Sequence, residues 1–379
     1  MKWLMLLKIA VLCLCVCGAS AESSSPPGVV IDHYPAESQD YIGNPSLAIL
    51  SNCDYLASHD AFGPGHRLLK TYLFRSSDRG ASWSPLDADL KGQYESSLFV
   101  HEGAVYILGG CVVGPDAFVG IRRSDDGGKA WSFPADTKTG RLVTGGRFSA
   151  GATPILVHQG RLWRAMEKSD PEMAGGDSRE YRAFVISAPV DGDLLDAASW
   201  TVSNDLLLND FIPGLGWLEG NVVATPEGKV QLMLRAAYRH EQAAVIQVSD
   251  DGSTLTFDPE KGFIDFPGGT SKFSIRYDAV SKRYWSVVND RREEGIVRNK
   301  LVLSSSADLV NWTVGPVLLE HPDGENVGFQ YPEWLMDGDD LIFVSRTAWG
   351  NAHNFHDANY ETFHRVEVFR RSIRPSGER

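Results

Sequence analysis

Three kinds of feature are missing from this chain of 379 residues: clustered basic side chains, sustained helical periodicity and the common catalytic signatures. Lysine and arginine number 36 against 49 aspartates and glutamates, for a net charge of −13. The cations are scattered, and neutralising phosphates needs them clustered, so nucleic acid is excluded as a partner. No His-Glu-x-x-His, Walker, Rossmann or Gly-x-Ser-x-Gly pattern occurs, and no Cys/His cluster has zinc spacing. Without an Asp-x-Asp-x-Asp-Gly loop, calcium is not predicted, and no cofactor is expected.

Cysteine is also scarce. Of five, Cys13, Cys15 and Cys17 lie in an amino-terminal stretch that reads as a signal peptide. Lys2 and Lys8 give it a positive start, residues 9–17 are apolar, and Ala19-Ser20-Ala21 matches a small-x-small cleavage site. The apolar core falls short of the ~20 residues a membrane span needs. The expected organisation is therefore a signal peptide at 1–21 and one domain at 22–379, secreted or periplasmic, free of the membrane and monomeric. Only Cys53 and Cys111 then remain. Cys53 falls in a hairpin turn and Cys111 at the far end of a neighbouring strand, beyond the ~7 Å limit for a bridge, so two unpaired thiols are expected.

What the chain does contain is repetition. The turn motif Ser-x-Asp-x-Gly-x-x-Trp occurs at Ser76, Asp78, Gly80, Trp83 and again at Ser124, Asp126, Gly128, Trp131. Asp can bind backbone amides in a tight turn, Gly supplies a positive φ, and Trp packs the next strand against its sheet. Degenerate copies follow at Asp251 with Phe257, at Asp308 with Trp312 and at Asp196 with Trp200. Between them, pairs of apolar strands flank short polar turns such as His101-Glu102-Gly103 and His158-Gln159-Gly160. Units begin near Pro45, Tyr94, Ala152, Trp217, Ser271 and Gln330, a period of roughly 50 to 60 residues. The fold class is thus all-β: one β-propeller of four-stranded antiparallel blades. Six blades are counted, or seven if a stretched unit is split. The last unit lacks an outer strand, which residues 29–33 can supply to close the ring. The turn motif resembles the Asp-box of the sialidase-like, or BNR-repeat, superfamily. That resemblance implies a structural role for Asp78 and Asp126 on the outside of the propeller.

In such a ring, starts of first strands and ends of second strands surround one mouth, where ligands favour concave sites. The starts offer Glu95, Arg147, Glu219, Asn221, Lys272, and Gln330 with Tyr331. The ends and last loop offer Ser58-His59-Asp60, Glu167, Arg235, Tyr238, Arg346, His356 and Asn359. His59 ends an apolar strand and opens a glycine-containing loop, which frees its side chain toward the mouth.

Three segments carry a second resemblance: Ser58-His59-Asp60-Ala61-Phe62-Gly63, Gly328-Phe329-Gln330-Tyr331 and Phe355-His356-Asp357-Ala358-Asn359-Tyr360. They are similar to those of seven-bladed propeller enzymes acting on L-rhamnosyl-α-1,4-glucuronate linkages. The resemblance implies an anionic carbohydrate substrate, His59 as the catalytic histidine and Gln330 as a supporting residue. Elimination at a uronate needs a base for the C5 proton, cations or donors on the carboxylate and an acid for the leaving oxygen. Arg147, Arg235, Arg346 and Lys272 would hold the carboxylate, with Gln330 and Asn221 as donors. Glu95, Glu219, Tyr238, His356 and Asn359 complete the expected substrate site. Two alternatives stand beside this. Sialidases carry three arginines on the substrate carboxylate, a Tyr nucleophile paired with Glu, an Asp acid and an Arg-Ile-Pro signature. Arg235 and Arg346 would be two of those arginines, but Arg-Ile-Pro is absent. A non-catalytic glycan-binding propeller is the other alternative.

Overall fold

The computed structural model describes residues 25–66, 69–170, 177–237, 239, 241–293 and 297–372. The expected signal peptide and Tyr238 lie outside the described residues. Six antiparallel sheets follow one another along the chain at 41–86, 93–144, 147–207, 216–265, 274–320 and 328–366. Each is a propeller blade whose strands run in sequence order from the axis outward. The sixth blade takes its outer strand from Val29–His33, which pairs antiparallel with Tyr360–Val366 and joins the two ends of the chain into a ring. Closure leaves no long unpaired sheet edge at this seam. Among the described residues the count is six and not seven: the third blade's long run is one sheet with an inner edge split into Arg147–Ser149 and Leu156–His158.

Apolar clusters fill each seam between neighbouring blades. Leu108 and Ile121 meet Phe148 and Phe184 between the second and third blades. Trp163 meets Leu232 between the third and fourth, and Trp285 meets Trp334 and Phe343 between the fifth and sixth. Near the axis the strands are too close for large side chains, and small polar residues clip one blade to the next. Ser46 Oγ accepts from Leu98 N at 2.9 Å, Ser97 Oγ donates to Thr153 O at 2.7 Å, and Thr153 Oγ1 donates to Gly220 O at 2.8 Å. Buried and paired in this way, these hydroxyls carry little desolvation cost.

The Asp-boxes work as their spacing requires. Ser76 Oγ donates to Asp78 Oδ1 and accepts from Gly80 N, while Asp78 Oδ1 also accepts from Ser82 N. Asp126, Asp251 and Asp308 repeat the pattern with Ser124, Ser249 and Ser306. In the degenerate copy, Asp196 caps a short 3-10 turn through Ala198 N. Gly80 has φ +90°, and a Cβ there would lie 2.1 Å from the Phe363 ring of the sixth blade. Gly80→Ala should therefore cost about 2–4 kcal/mol, from left-handed strain and overpacking together. Denaturant unfolding checks this; a loss under about 0.5 kcal/mol would mean that the seam relaxes freely.

Cys53 is exposed in its turn at φ +69°, Cys111 is buried in the second blade, and both are free thiols. Among the described residues no helix is long and apolar enough to cross a membrane.

Candidate active site

Four inner strands carry a bulge at the same height. Pairing with the second strand skips between Gly43 and Ser46, Tyr94 and Ser97, Leu218 and Asn221, and Gln330 and Glu333. Within the skips, Asn44, Glu95, Glu219 and Tyr331 have φ of +22°, +46°, +58° and +52°. A left-handed backbone costs a non-glycine residue of order 1–3 kcal/mol, and it recurs here because a bulge re-aims a side chain. All four side chains turn to one cavity of about 430 Å³, completed by Asp60, Phe62, Ser149, Arg346 and His356.

The floor of this cavity is a tyrosine–glutamate pair. Tyr331 Oη donates to Glu219 Oε1 at 2.5 Å, and Arg235 donates to Glu219 Oε2 at 3.2 Å. Arg346 lies over the Tyr331 ring, its Cζ 4.1 Å from the ring centre. Gln330 Oε1 accepts from Arg298 at 2.7 Å and from Arg346 at 3.2 Å, tying a third guanidinium to the group. Burial alone would raise the Glu219 carboxyl, but Arg235, the Tyr331 hydroxyl and Arg298 outweigh it and hold it below the ordinary value. Burial and the adjacent Glu219 charge raise the Tyr331 phenol. The resting pair is thus a neutral phenol on a carboxylate.

Opposite stands a second kind of carboxyl group. Burial raises Asp60, although Glu95 N donates to its Oδ2 at 2.8 Å and Asn44 lies 3.4 Å away. Its other oxygen, Oδ1, is buried with no hydrogen-bond partner. A Cβ on Gly43 would sit 2.6 Å from that oxygen, so the glycine makes room for the acid. Glu95 is pushed up to about 7 by burial and by the charge of Asp60, while Ser149 Oγ at 2.5 Å partly offsets this. The site thus divides a low-titrating carboxylate from two high-titrating acids, an arrangement suited to acid–base work. A larger cavity of about 660 Å³ opens at the other end of the axis, between Val157, Tyr277, Tyr284 and Met336. Among the described residues no carboxylate lines it, so it lacks this chemistry.

Residues 104–344 match the BNR repeat-like domain. The chain belongs to that family. No curated protein matches it by sequence. Its fold is similar to that of the Hadza microbial sialidase Hz136, at 15% identity and TM-score 0.62 over 89% of this chain and 68% of that one. It is similar at 14% identity and TM-score 0.58 to Penicillium chrysogenum α-L-arabinanase complexed with arabinobiose, over 90% and 98% of the two chains. Trypanosoma rangeli sialidase in complex with sialic acid also gives 14% and 0.58, over 90% of this chain and 57% of that one. At these identities the likeness is one of fold.

Within this BNR repeat-like propeller, the mouth residues expected from sequence separate into two groups. Glu95, Glu219, Arg346 and His356 line the cavity, and Arg235 reaches it through Glu219. His59 does not. Its strand runs on to Phe62 and does not stop at His59, so the imidazole lies mid-strand, fully buried, and points into the seam with the sixth blade. Alternation puts its neighbour Asp60 on the cavity side. Gln330 is buried and holds arginines. Asn221 and Lys272 lie below the mouth as blade clips: Asn221 joins Phe273 O to Ile275 N, and Lys272 Nζ donates to Pro332 O at 2.7 Å. Asn359 clips both backbone groups of Trp349. Arg147 is exposed at the start of the third blade, outside the cavity lining. Sequence reasoning missed Arg298, which lies in a loop where no strand pattern marks it. It named Asp60 and Tyr331 as mouth positions without a role.

Proposed function

We propose that this protein is a glycoside hydrolase for a carboxylate-bearing sugar, with Tyr331 as nucleophile, Glu219 as its base and Asp60 as proton donor. The observation that carries the reading is the 2.5 Å Tyr331–Glu219 bond under the Arg346 guanidinium. Arg346, with Arg235 and Arg298 behind it, supplies positive charge for a carboxylate next to the reacting carbon. A carboxylate nucleophile approaching that carbon would be repelled by the substrate's charge, whereas a neutral phenol is not. As Tyr331 Oη attacks the anomeric carbon, its proton passes to Glu219 and the glycosidic bond breaks. Asp60 gives its proton to the leaving oxygen. The Asp60 carboxylate then takes a proton from the incoming water, which attacks the same carbon. Tyr331 leaves and recovers its proton from Glu219. Two displacements at one carbon retain its configuration.

Elimination centred on His59 has less support. Both His59 nitrogens are engaged within the fold, and the six-bladed ring differs from the seven-bladed enzymes that the local motifs resemble. The signal-like amino terminus supports action in a secreted or periplasmic setting.

Aryl glycosides of sialic acid, glucuronic acid and α-L-arabinofuranose test the proposal. Release from the sialoside, whose carboxylate sits on the reacting carbon, and not from the neutral sugar is expected; release from the glucuronide alone would overturn the charge argument for a tyrosine nucleophile. Release only from arabinofuranose would overturn the carboxylate reading. The ultraviolet absorbance of an unsaturated uronate would replace hydrolysis by elimination. Ligand binding without turnover would make this a glycan-binding propeller.

A further inference from the structure

His59 is left outside the reaction and sits fully buried among titratable groups. Its Nδ1 is 2.9 Å from Asp60 O, and its Nε2 is 2.9 Å from Asp32 Oδ2. A carbonyl and a carboxylate both accept, so both ring nitrogens carry protons and the ring is an imidazolium. The ring stacks on Tyr72 and Phe74, and Tyr34 meets it edge-on. Asp32 belongs to the amino-terminal strand that closes the ring, and it pairs in register with Glu361. Glu361 is fully buried, and neither carboxyl oxygen has a hydrogen-bond partner. On the neighbouring strand, Arg346 pairs in register with Glu361. The charged and titratable groups around His59 are thus Asp32, Glu361, Asp60, Tyr34 and Tyr72. Three carboxyl groups, those of Asp32, Asp60 and Glu361, surround one imidazolium.

We propose that Asp32, His59 and Glu361 are positioning residues coupled by charge across the closing seam, fixing the amino-terminal strand in the ring and aiming the adjacent Asp60 into the cavity. The catalytic consequence rests on the reading above; the latch itself does not. Glu361 is raised to about 8 by burial, against the His59 charge. Burial would lower His59, but Asp32 and Glu361 outweigh it and raise its pKa. Asp32 is lowered: burial is overcome by His59. The signs follow from linkage. A carboxyl raised in the fold binds its proton more tightly there than in the unfolded chain, so stability falls as pH rises from the ordinary carboxyl value toward 8. The raised His59 adds to that fall, and its contribution is lost as pH rises through its folded value. Asp32 acts oppositely, and only below the ordinary carboxyl range.

The test follows three variants, Glu361→Gln, Asp32→Asn and His59→Gln, alongside the full chain. Thermal midpoints should fall for the wild type between mildly acidic and mildly alkaline pH. Glu361→Gln should flatten that fall while keeping the fold. Asp32→Asn should make the segment after the closing strand the first site of limited proteolysis. In His59→Gln, loss of the imidazolium should move the Asp60 titration, followed by carboxyl NMR, to higher pH, and Asp32→Asn should move it the same way by removing the counter-charge that raises His59. On a substrate the wild type cleaves, both variants should lower kcat at least tenfold, leave KM within about threefold and extend the basic limb of the pH profile. A wild type inactive on every glycoside would sink the hydrolase reading alone, because the midpoint and NMR results judge the latch without substrate. Superimposable midpoint curves for wild type and Glu361→Gln, or an unmoved Asp60 titration, would overturn the latch.

Discussion

Tyr331→Phe should lower kcat by about three orders of magnitude or more while KM for an acidic aryl glycoside stays within a few-fold. The substitution removes one oxygen. The ring keeps its place under Arg346, so the positive field that would hold the substrate carboxylate is retained. Glu219 keeps its bond to Arg235 and does not become an unpaired buried charge. The thermal midpoint should therefore change little, which separates a lost nucleophile from a lost fold. Glu219→Gln removes the base instead. Because the arginines and Tyr331 hold Glu219 below the ordinary carboxyl value, the wild-type acid limb should lie at low pH and disappear in that variant. A Tyr331→Phe protein with more than a tenth of wild-type kcat would rule Tyr331 out as nucleophile.

The effect of Asp60→Asn should depend on the leaving group. General acid catalysis contributes about 10²–10⁴-fold, and a sugar alkoxide needs all of it. An aryl leaving group departs without a proton, so its formation of the glycosyl–enzyme should be nearly spared. The predicted pattern is a loss of about 10²-fold or more on a disaccharide and a much smaller loss in the aryl burst. Burial keeps Asp60 protonated above the usual carboxylate range, so activity should fall as pH rises through its raised value. Glu95, at about 7, touches the same acid through its backbone amide, so the basic limb belongs to the pair. Equal losses on both substrates would show that Asp60 shapes the cavity and transfers no proton.

The propeller was legible because its determinants are local. Asp78, Gly80 and Trp83 act within one turn, and the polar turns between apolar strands need no distant partner. The closing strand was legible too, since a blade one strand short needs a partner with an unpaired edge. The site was only half legible. Glu95, Glu219 and Arg346 were found because a propeller mouth has a known place along each strand. His59 was placed at the mouth because its strand was ended too early. One residue of register exchanges the seam for the cavity, which is why the acid is Asp60 and the histidine is buried beside Asp32.

Composition and spacing by themselves determined an all-β ring of repeated hairpins with its mouth at one end of the axis. Only the tertiary structure decided the number of blades, the pairing of Tyr331 with Glu219 from a blade 112 residues away, and the gathering of Arg235, Arg298 and Arg346. The physical reason is range. Turn and strand preferences act over a few residues. Bulges, burial and charge coupling depend on which strands meet at the axis, and that is set when the whole ring closes.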